Sequence, residues 1–260
     1  MADITVYTVV SIYDQLLQWC IANARARAGI EHDWLVIGWG ASDAVKRVCE
    51  KEGARLIDFM PDQEPSKESA DHTPWFLREL YLRFNAGYQY AENKWVARMG
   101  VDQFFSKNWL KNLMNAADRY GDRGVYHCWT VESPIAKNSR HEIKDWGITW
   151  QEFDSIRFEQ YASERAWRYQ YELAIPGDEC GLFYRHPSRG TQQRADGCTW
   201  LQTKALWQEF GPLINTINEE GVTGDVSIHD KMTDAGVKSY LVPTSTTYHL
   251  VRGASRGQQK

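Results

Sequence analysis

Residues 85–103 read NAGYQYAENKWVARMGVDQ, and a change of hydrophobic period inside this stretch decides the fold class. Up to Ala91 the apolar side chains continue a helical spacing that starts at Phe76 and runs through Leu77, Leu80, Tyr81, Phe84 and Tyr88. From Trp95 to Met99 the apolar run is short and continuous, as a buried strand requires. It ends at Gly100-Val101-Asp102-Gln103. An acid is thereby delivered to the carboxyl edge of a sheet, where ligands of open α/β sheets bind.

The same alternation extends upstream. Ile4 to Val10 is dominated by β-branched residues and reads as a buried strand, and Tyr13 to Arg27 carries Leu16, Leu17, Cys20, Ile21 and Ala24 at helical spacing. Trp34 to Trp39 is a second strand. Ser42-Asp43 starts a helix before Val45, Val48 and Cys49, and Ala54 to Phe59 is a third strand. Strands and helices in this order predict a mostly parallel central sheet with crossover helices on its faces. Met60 to Pro74 (MPDQEPSKESADHTP) reads as an exposed loop, either a lid or a long connection.

Downstream, Lys107 to Tyr120 is a predicted helix and Val125 to Val131 a strand. Trp146 to Glu172 is polar and rich in aromatics and suggests no element. Glu179 to Arg185 reads as a short strand, and Trp200 to Phe210 as a helix closed by Gly211-Pro212. Asp225 to Ala235 reads as a helix stopped by Gly236, Ser239 to Pro243 as the last strand, and the polar chain from Thr244 as a mobile tail unless bound.

The balance of 30 Lys and Arg against 34 Asp and Glu, a net charge of −4, gives no global reason for a polyanionic partner. The 12 Trp and 13 Tyr serve equally as core filler or as platforms for sugars and bases. Cys20, Cys49, Cys128, Cys180 and Cys198 never form C-x-x-C, so reduced thiols are expected rather than a disulfide framework or a zinc site. Asp3 stands where a signal peptide would be basic, and no apolar stretch approaches the roughly 20 residues of a membrane span, so a soluble, cytoplasmic protein is expected.

No phosphate-loop, G-x-G-x-x-G or G-x-S-x-G pattern is present, which argues against simple nucleoside triphosphatase, dinucleotide-binding and esterase readings. Three residues remain as carriers of chemistry: Asp102 at a strand end, Asp225 at a helix start and His249 near the C-terminus. Taken singly, each has an ordinary reading as a turn residue, an N-cap or a hydrogen-bonded histidine.

Their order, with the segments around them, resembles the family 2 glycosyltransferases of GT-A fold over most of the chain. The matching pieces are the opening strand Thr5 to Ser11, Ala41-Ser42-Asp43, the N-x-G-x-x-x-A helix Asn85 to Ala91, Arg98 to Gln103, Trp207-Gln208-Glu209-Phe210-Gly211-Pro212, Gly224-Asp225-Val226 followed by Ala235-Gly236, and Thr247 to Gly253. The resemblance implies a Rossmann-like sheet in one domain over residues 1–260. Residues 1–105 would form the nucleotide-sugar-binding half, 106–243 the acceptor half and 244–260 a C-terminal lid. It further implies an inverting, metal-dependent sugar transfer from a nucleotide-sugar donor, a UDP-sugar above others. Asp102 and His249 would hold Mn2+ or Mg2+, with Asp225 as general base. Donor contacts would come from Thr8, Val9, Ser11, Trp39, Asp43, Arg83, Asn85, Gly100, Val101, Arg252, Ser255 and Arg256.

Two departures stand out. The family's D-x-D appears as Gly100-Val101-Asp102, and its acid at the end of the second strand as Gly38 or Trp39. The first bears on metal affinity and the second on base recognition, where Trp39 reads either as a stacking ring or as packing. Alternatives are a hydroxymethylated base in DNA as acceptor, prompted by the Arg-rich stretches Arg185 to Arg194 and Arg252 to Arg256, and an inactive GT-A domain that binds nucleotide or glycan. A nucleotidyltransferase ranks last, because Ser11-Ile12-Tyr13-Asp14 offers no Gly-rich phosphate loop.

Overall fold

A computed structural model describes residues 3–10, 13–60, 62–63, 72–135, 142–177, 183–186, 190–195, 199–212, 228 and 231–250. Strands β1 (Ile4–Val10), β2 (Asp33–Trp39) and β3 (Arg55–Phe59) alternate with helices α1 (Asp14–Arg27) and α2 (Asp43–Glu52), as the hydrophobic periods predict. The Ser42 side chain caps α2 by accepting from the Val45 N–H at 3.2 Å. Next come α3 (His72–Tyr90), β4 (Trp95–Arg98), β5 (Gln103–Phe105), α4 (Trp109–Tyr120) and β6 (Gly124–Glu132). The second half adds β7 (Glu142–Ile143), α5 (Ser155–Arg168), β8 (Ile175–Pro176), β9 (Phe183–His186), β10 (Gly190–Ala195), β11 (Trp200–Thr203), α6 (Lys204–Phe210) and β12 (Lys238–His249).

The main sheet has the order β3-β2-β1-β4-β11-β6-β12-β5. Strands β3, β2, β1, β4, β6 and β12 point the same way, while β11, inserted between β4 and β6, and β5, beyond β12, run against them. Helices α1, α2 and α4 cover one face through Leu17, Ile21, Val45, Leu110 and Leu113. Helix α3 covers the other around Tyr7, Ala86 and Tyr88. Gly87 lets α3 approach this closely: a Cβ there would meet the Tyr7 ring at 2.1 Å. The glycine of the N-x-G motif is therefore a packing residue.

Two expectations are corrected. Trp200 to Thr203 is a strand, with the helix confined to Lys204–Phe210. Trp200 and Leu201 are buried in clusters on opposite faces of the sheet, which a period of two permits and a helix does not. The helix starts where the Thr203 hydroxyl accepts from the Leu206 N–H at 3.1 Å.

Residues Thr244 to His249, expected as a mobile tail, are the end of β12, paired with both β5 and β6. Their polarity misled because hydroxyls among them find buried acceptors: Ser245 Oγ donates to Trp109 O at 2.9 Å and Thr247 Oγ1 to Phe104 O at 3.0 Å. Trp146 to Glu172 also contains a helix, α5, whose Phe158 and Ala162 pack with Tyr248.

Candidate active site

The register of three neighbouring strands assembles the site. His249, the last residue of β12, pairs antiparallel with Gln103 at the start of β5 and parallel with Glu132 at the end of β6. The backbone locks this junction: Leu250 N–H donates to Asp102 O at 3.0 Å, Ser133 N–H to His249 O at 3.0 Å, and Ser133 Oγ to Leu250 O at 2.9 Å. Asp102, Glu132 and His249, far apart in sequence, thus lie side by side at one edge of the sheet.

His249 Nδ1 is 2.9 Å from Glu132 Oε2, and its Nε2 is 3.3 Å from Asp102 Oδ2. The side chains are largely sheltered, with exposures of 16% for His249, 21% for Asp102 and 9% for Glu132. Burial pushes the Asp102 carboxyl up, but the positive charge and hydrogen bond of His249, with a backbone donor, outweigh it and hold the group below its ordinary value.

When Nδ1–H donates to Glu132, neutral imidazole turns a lone pair at Nε2 toward the Asp102 carboxylate. Two such acceptors at that distance require a positive charge between them, either a proton or a cation. Two ligands of one Mg2+-sized or Mn2+-sized ion, at right angles to each other, lie about 3 Å apart. Asp102 and His249 therefore fit as a pair of metal ligands, and Glu132 fits as the outer carboxylate that fixes the ring. Among the described residues no group of three or more His, Cys, Asp or Glu side chains is arranged to hold a metal.

The turn carrying Asp102 is pinned from behind. Gln103 is fully buried, and its Oε1 accepts from Gly100 N–H at 2.7 Å and from Thr199 Oγ1 at 2.5 Å. Cys20 Sγ donates to Gly100 O at 3.4 Å, and burial pushes that thiol well up, which keeps it a neutral donor. Asn23 Oδ1 accepts from Phe105 N–H at 3.1 Å. Met99 N–H donates to Tyr7 O at 3.0 Å, which extends the β1–β4 ladder up to the turn.

Among solved structures, the chain is similar to a mannosyltransferase from Pyrobaculum calidifontis in complex with GDP-Man and Mn2+, with a TM-score of 0.54 and 11% identity over 98% of this chain and 59% of that one. It is also similar to GalNAc-T7 with UDP, GalNAc and Mn2+, with a TM-score of 0.54 and 12% identity over 95% of this chain and 43% of that one. The chain adopts the GT-A fold. At these identities the likeness is one of fold, and this chain spans 59% and 43% of the length of the two structures. No protein-family model matches the sequence, and no curated protein matches it.

On this GT-A fold the remaining expected residues divide. Thr8 and Val9 lie near the carboxyl end of β1, and the Thr8 hydroxyl is buried with no hydrogen-bond partner among the described residues. Gly100 and Val101 form the half-buried turn before Asp102. Asn85 lies half-buried on α3. Trp39 stands in an aromatic group, 5.9 Å from Trp75 and 5.5 Å from Phe76 between ring centroids.

Arg83, expected on the donor, is buried, and Glu79 one helical turn away neutralises it at 2.6 Å. Asp43 faces solvent in the first turn of α2, 3.3 Å from Lys46, and no described contact joins it to the Asp102 group. Ser11, Asp225, Arg252, Ser255 and Arg256 lie outside the described residues. Among the described residues no helix is long and apolar enough to cross a membrane. The thiols of Cys20, Cys49 and Cys128 are unbridged, and Cys180 and Cys198 lie outside the described residues.

Sequence reasoning missed Glu132, Gln103 and Asp58. Asp58 on β3 sits opposite Gly38 on β2 and accepts from Ala41 N–H at 2.9 Å. A Cβ at Gly38 would meet its Oδ1 at 2.3 Å. The acid expected at the end of β2 is thus absent there, and β3 places a carboxylate against the same position. Gly38 was the available signal, since a glycine in a strand marks close approach of another group.

Proposed function

We propose that the protein transfers a sugar from a nucleotide-sugar donor to an acceptor hydroxyl, with inversion at the anomeric carbon. The observation that carries this reading is the convergence of Asp102 and His249 at the carboxyl edge of a GT-A sheet, with Glu132 behind the imidazole. Asp102 Oδ2 and His249 Nε2 are the protein's ligands for Mn2+ or Mg2+. A divalent cation bound there supplies positive charge against the diphosphate leaving group. Glu132 keeps the proton on Nδ1, so that Nε2 faces the ion. Gln103 holds the Gly100–Asp102 turn in place.

The nucleotide half of the donor lies over β1 and β2, near Thr8, Val9, Trp39 and the free oxygen of Asp58. A carboxylate accepts and does not donate, so Asp58 favours a base that presents N–H groups, as uracil and guanine do. Asp225 removes the proton of the acceptor hydroxyl as that oxygen attacks the anomeric carbon, and this single displacement inverts the centre. The chain works as one domain, with residues 1–105 serving the donor and 106–243 the acceptor.

The test is incubation of the protein with Mn2+ and UDP-, dTDP- or GDP-sugars, alone and with hydroxyl acceptors that include hydroxymethylated DNA. Nuclear magnetic resonance reads the products. Release of nucleotide with an inverted sugar linkage supports the proposal. Metal-dependent binding of a donor with neither hydrolysis nor transfer would replace it with a nucleotide-binding GT-A domain that has lost catalysis, the reading prompted by Gly100 in place of the first acid of D-x-D.

A further inference from the structure

A second feature lies down the same strand, away from the Asp102–His249 pair. Ser106 to Asn108, the first turns of α4, the inner side of α5 and Thr244 enclose a groove of about 490 Å3. Thr244 precedes His249 by about 16 Å of strand at the usual rise per residue. This size suits a small ligand.

The chemistry of the walls is specific. Amides stand on both sides: Asn108, Asn112 and Asn115 on one and Gln170 on the other. Asn112 Nδ2 is committed to Thr244 O at 2.7 Å, which fixes the side chain and leaves its carbonyl oxygen as an acceptor. An amide offers a donor and an acceptor together, which matches a sugar hydroxyl, itself both donor and acceptor. Lys107 is balanced by Glu172, and Glu159 is paired with Arg27, so the walls carry no net positive charge to hold a phosphate. No described group of three metal-ligating side chains is present in it.

Beside the wall residues Ala166 and Gln170 stand Trp167 and Tyr171, 73% and 93% exposed, and neither ring packs on another ring among the described residues. Bare rings next to a polar groove suit the C–H face of a sugar, whose rim then meets the amides.

We infer that the α4–α5 groove is a saccharide-binding site for neutral oligosaccharides, separate from the Asp102–His249 centre. The inference does not depend on the transferase reading, because binding alone tests it. Wild type, Trp167→Ala, the double variant Asn115→Ala with Gln170→Ala, and Asp102→Ala are applied to an array of neutral oligosaccharides, and affinities for the retained glycans are measured by calorimetry. These positions are exposed or half-exposed, and unchanged circular dichroism confirms folding. The expected result is binding by wild type, weakened about tenfold or more in both groove variants, a loss of roughly 1.4 kcal/mol, and unchanged in Asp102→Ala. Retention of full affinity in both groove variants, loss in Asp102→Ala, or no bound glycan would overturn the inference.

Discussion

His249 lies between two carboxylates, with Nδ1 2.9 Å from Glu132 and Nε2 3.3 Å from Asp102. The two contacts have different consequences. The Glu132 contact fixes which nitrogen carries the proton, and the Asp102 contact leaves the other nitrogen beside an anion.

Removing the outer carboxylate tests the first. Glu132→Gln can still accept from Nδ1–H but lacks the charge that raises the basicity of the ring. We expect Mn2+ affinity to fall by about 10- to 100-fold, the usual effect of losing an outer-shell partner, with the fold intact. Calorimetric titration of Mn2+ in the presence of nucleotide measures it. An unchanged affinity would remove Glu132 from the account.

The second contact has a pH signature. A proton on Nε2 competes with the ion, so metal affinity should fall as pH drops. Asp102, held below its ordinary carboxylate value, stays ionised at neutral pH. Its depressed carboxyl contributes stability that is complete above the ordinary carboxylate range and is lost as pH falls through its lowered value. Asp102→Asn should therefore flatten the acid limb of the stability curve. A pH-independent Mn2+ affinity, read by the same titration, would place the ion elsewhere.

Gln103 is a positioning residue whose loss should be felt in both fold and site. Gln103→Ala leaves the Gly100 N–H and the Thr199 hydroxyl without their buried acceptor. Each such group costs about 1–3 kcal/mol. Urea unfolding should show a loss of about 2–6 kcal/mol for the two groups together, and donor affinity should fall with it. Loss of stability with unaltered donor affinity would separate the turn from the site.

Much of this arrangement was legible in the sequence. The β-branched run at Ile4 to Val10 and the period change between Tyr88 and Trp95 set the parallel half of the sheet, and Asp102 and His249 were both singled out. What stayed hidden depends on partners distant in the chain. Glu132 ends an apolar strand with nothing around it to mark an acid as functional, and only the parallel register with β12 sets it against His249. Ser245 and Thr247 after Pro243 looked solvated because their acceptors, Trp109 O and Phe104 O, come from other elements. Trp200 and Leu201 resembled helix filler because one aromatic and one aliphatic neighbour fit either period until the faces are known.

Asp58 tests the nucleotide side. Asp58→Asn keeps an oxygen for the Ala41 N–H but offers an NH2 group where a base N–H would seek an acceptor. Affinity for UDP- and GDP-sugars should fall by about tenfold, in line with roughly 1.5 kcal/mol for a hydrogen bond to a charged group. Competition binding against the wild type reads this effect. Equal affinities would assign Asp58 to the β2–β3 junction alone.

The central claim is that Asp102 and His249 form a metal-dependent nucleotide-sugar site. Thermal-shift measurement of the wild type and Asp102→Ala with UDP-, dTDP- and GDP-sugars, each with and without Mn2+, tests it most directly, because a ligand of the native state raises the melting temperature. The account predicts a rise with one nucleotide class that needs Mn2+ in the wild type and disappears in Asp102→Ala. A rise that ignores Mn2+, or that survives in Asp102→Ala, would contradict it.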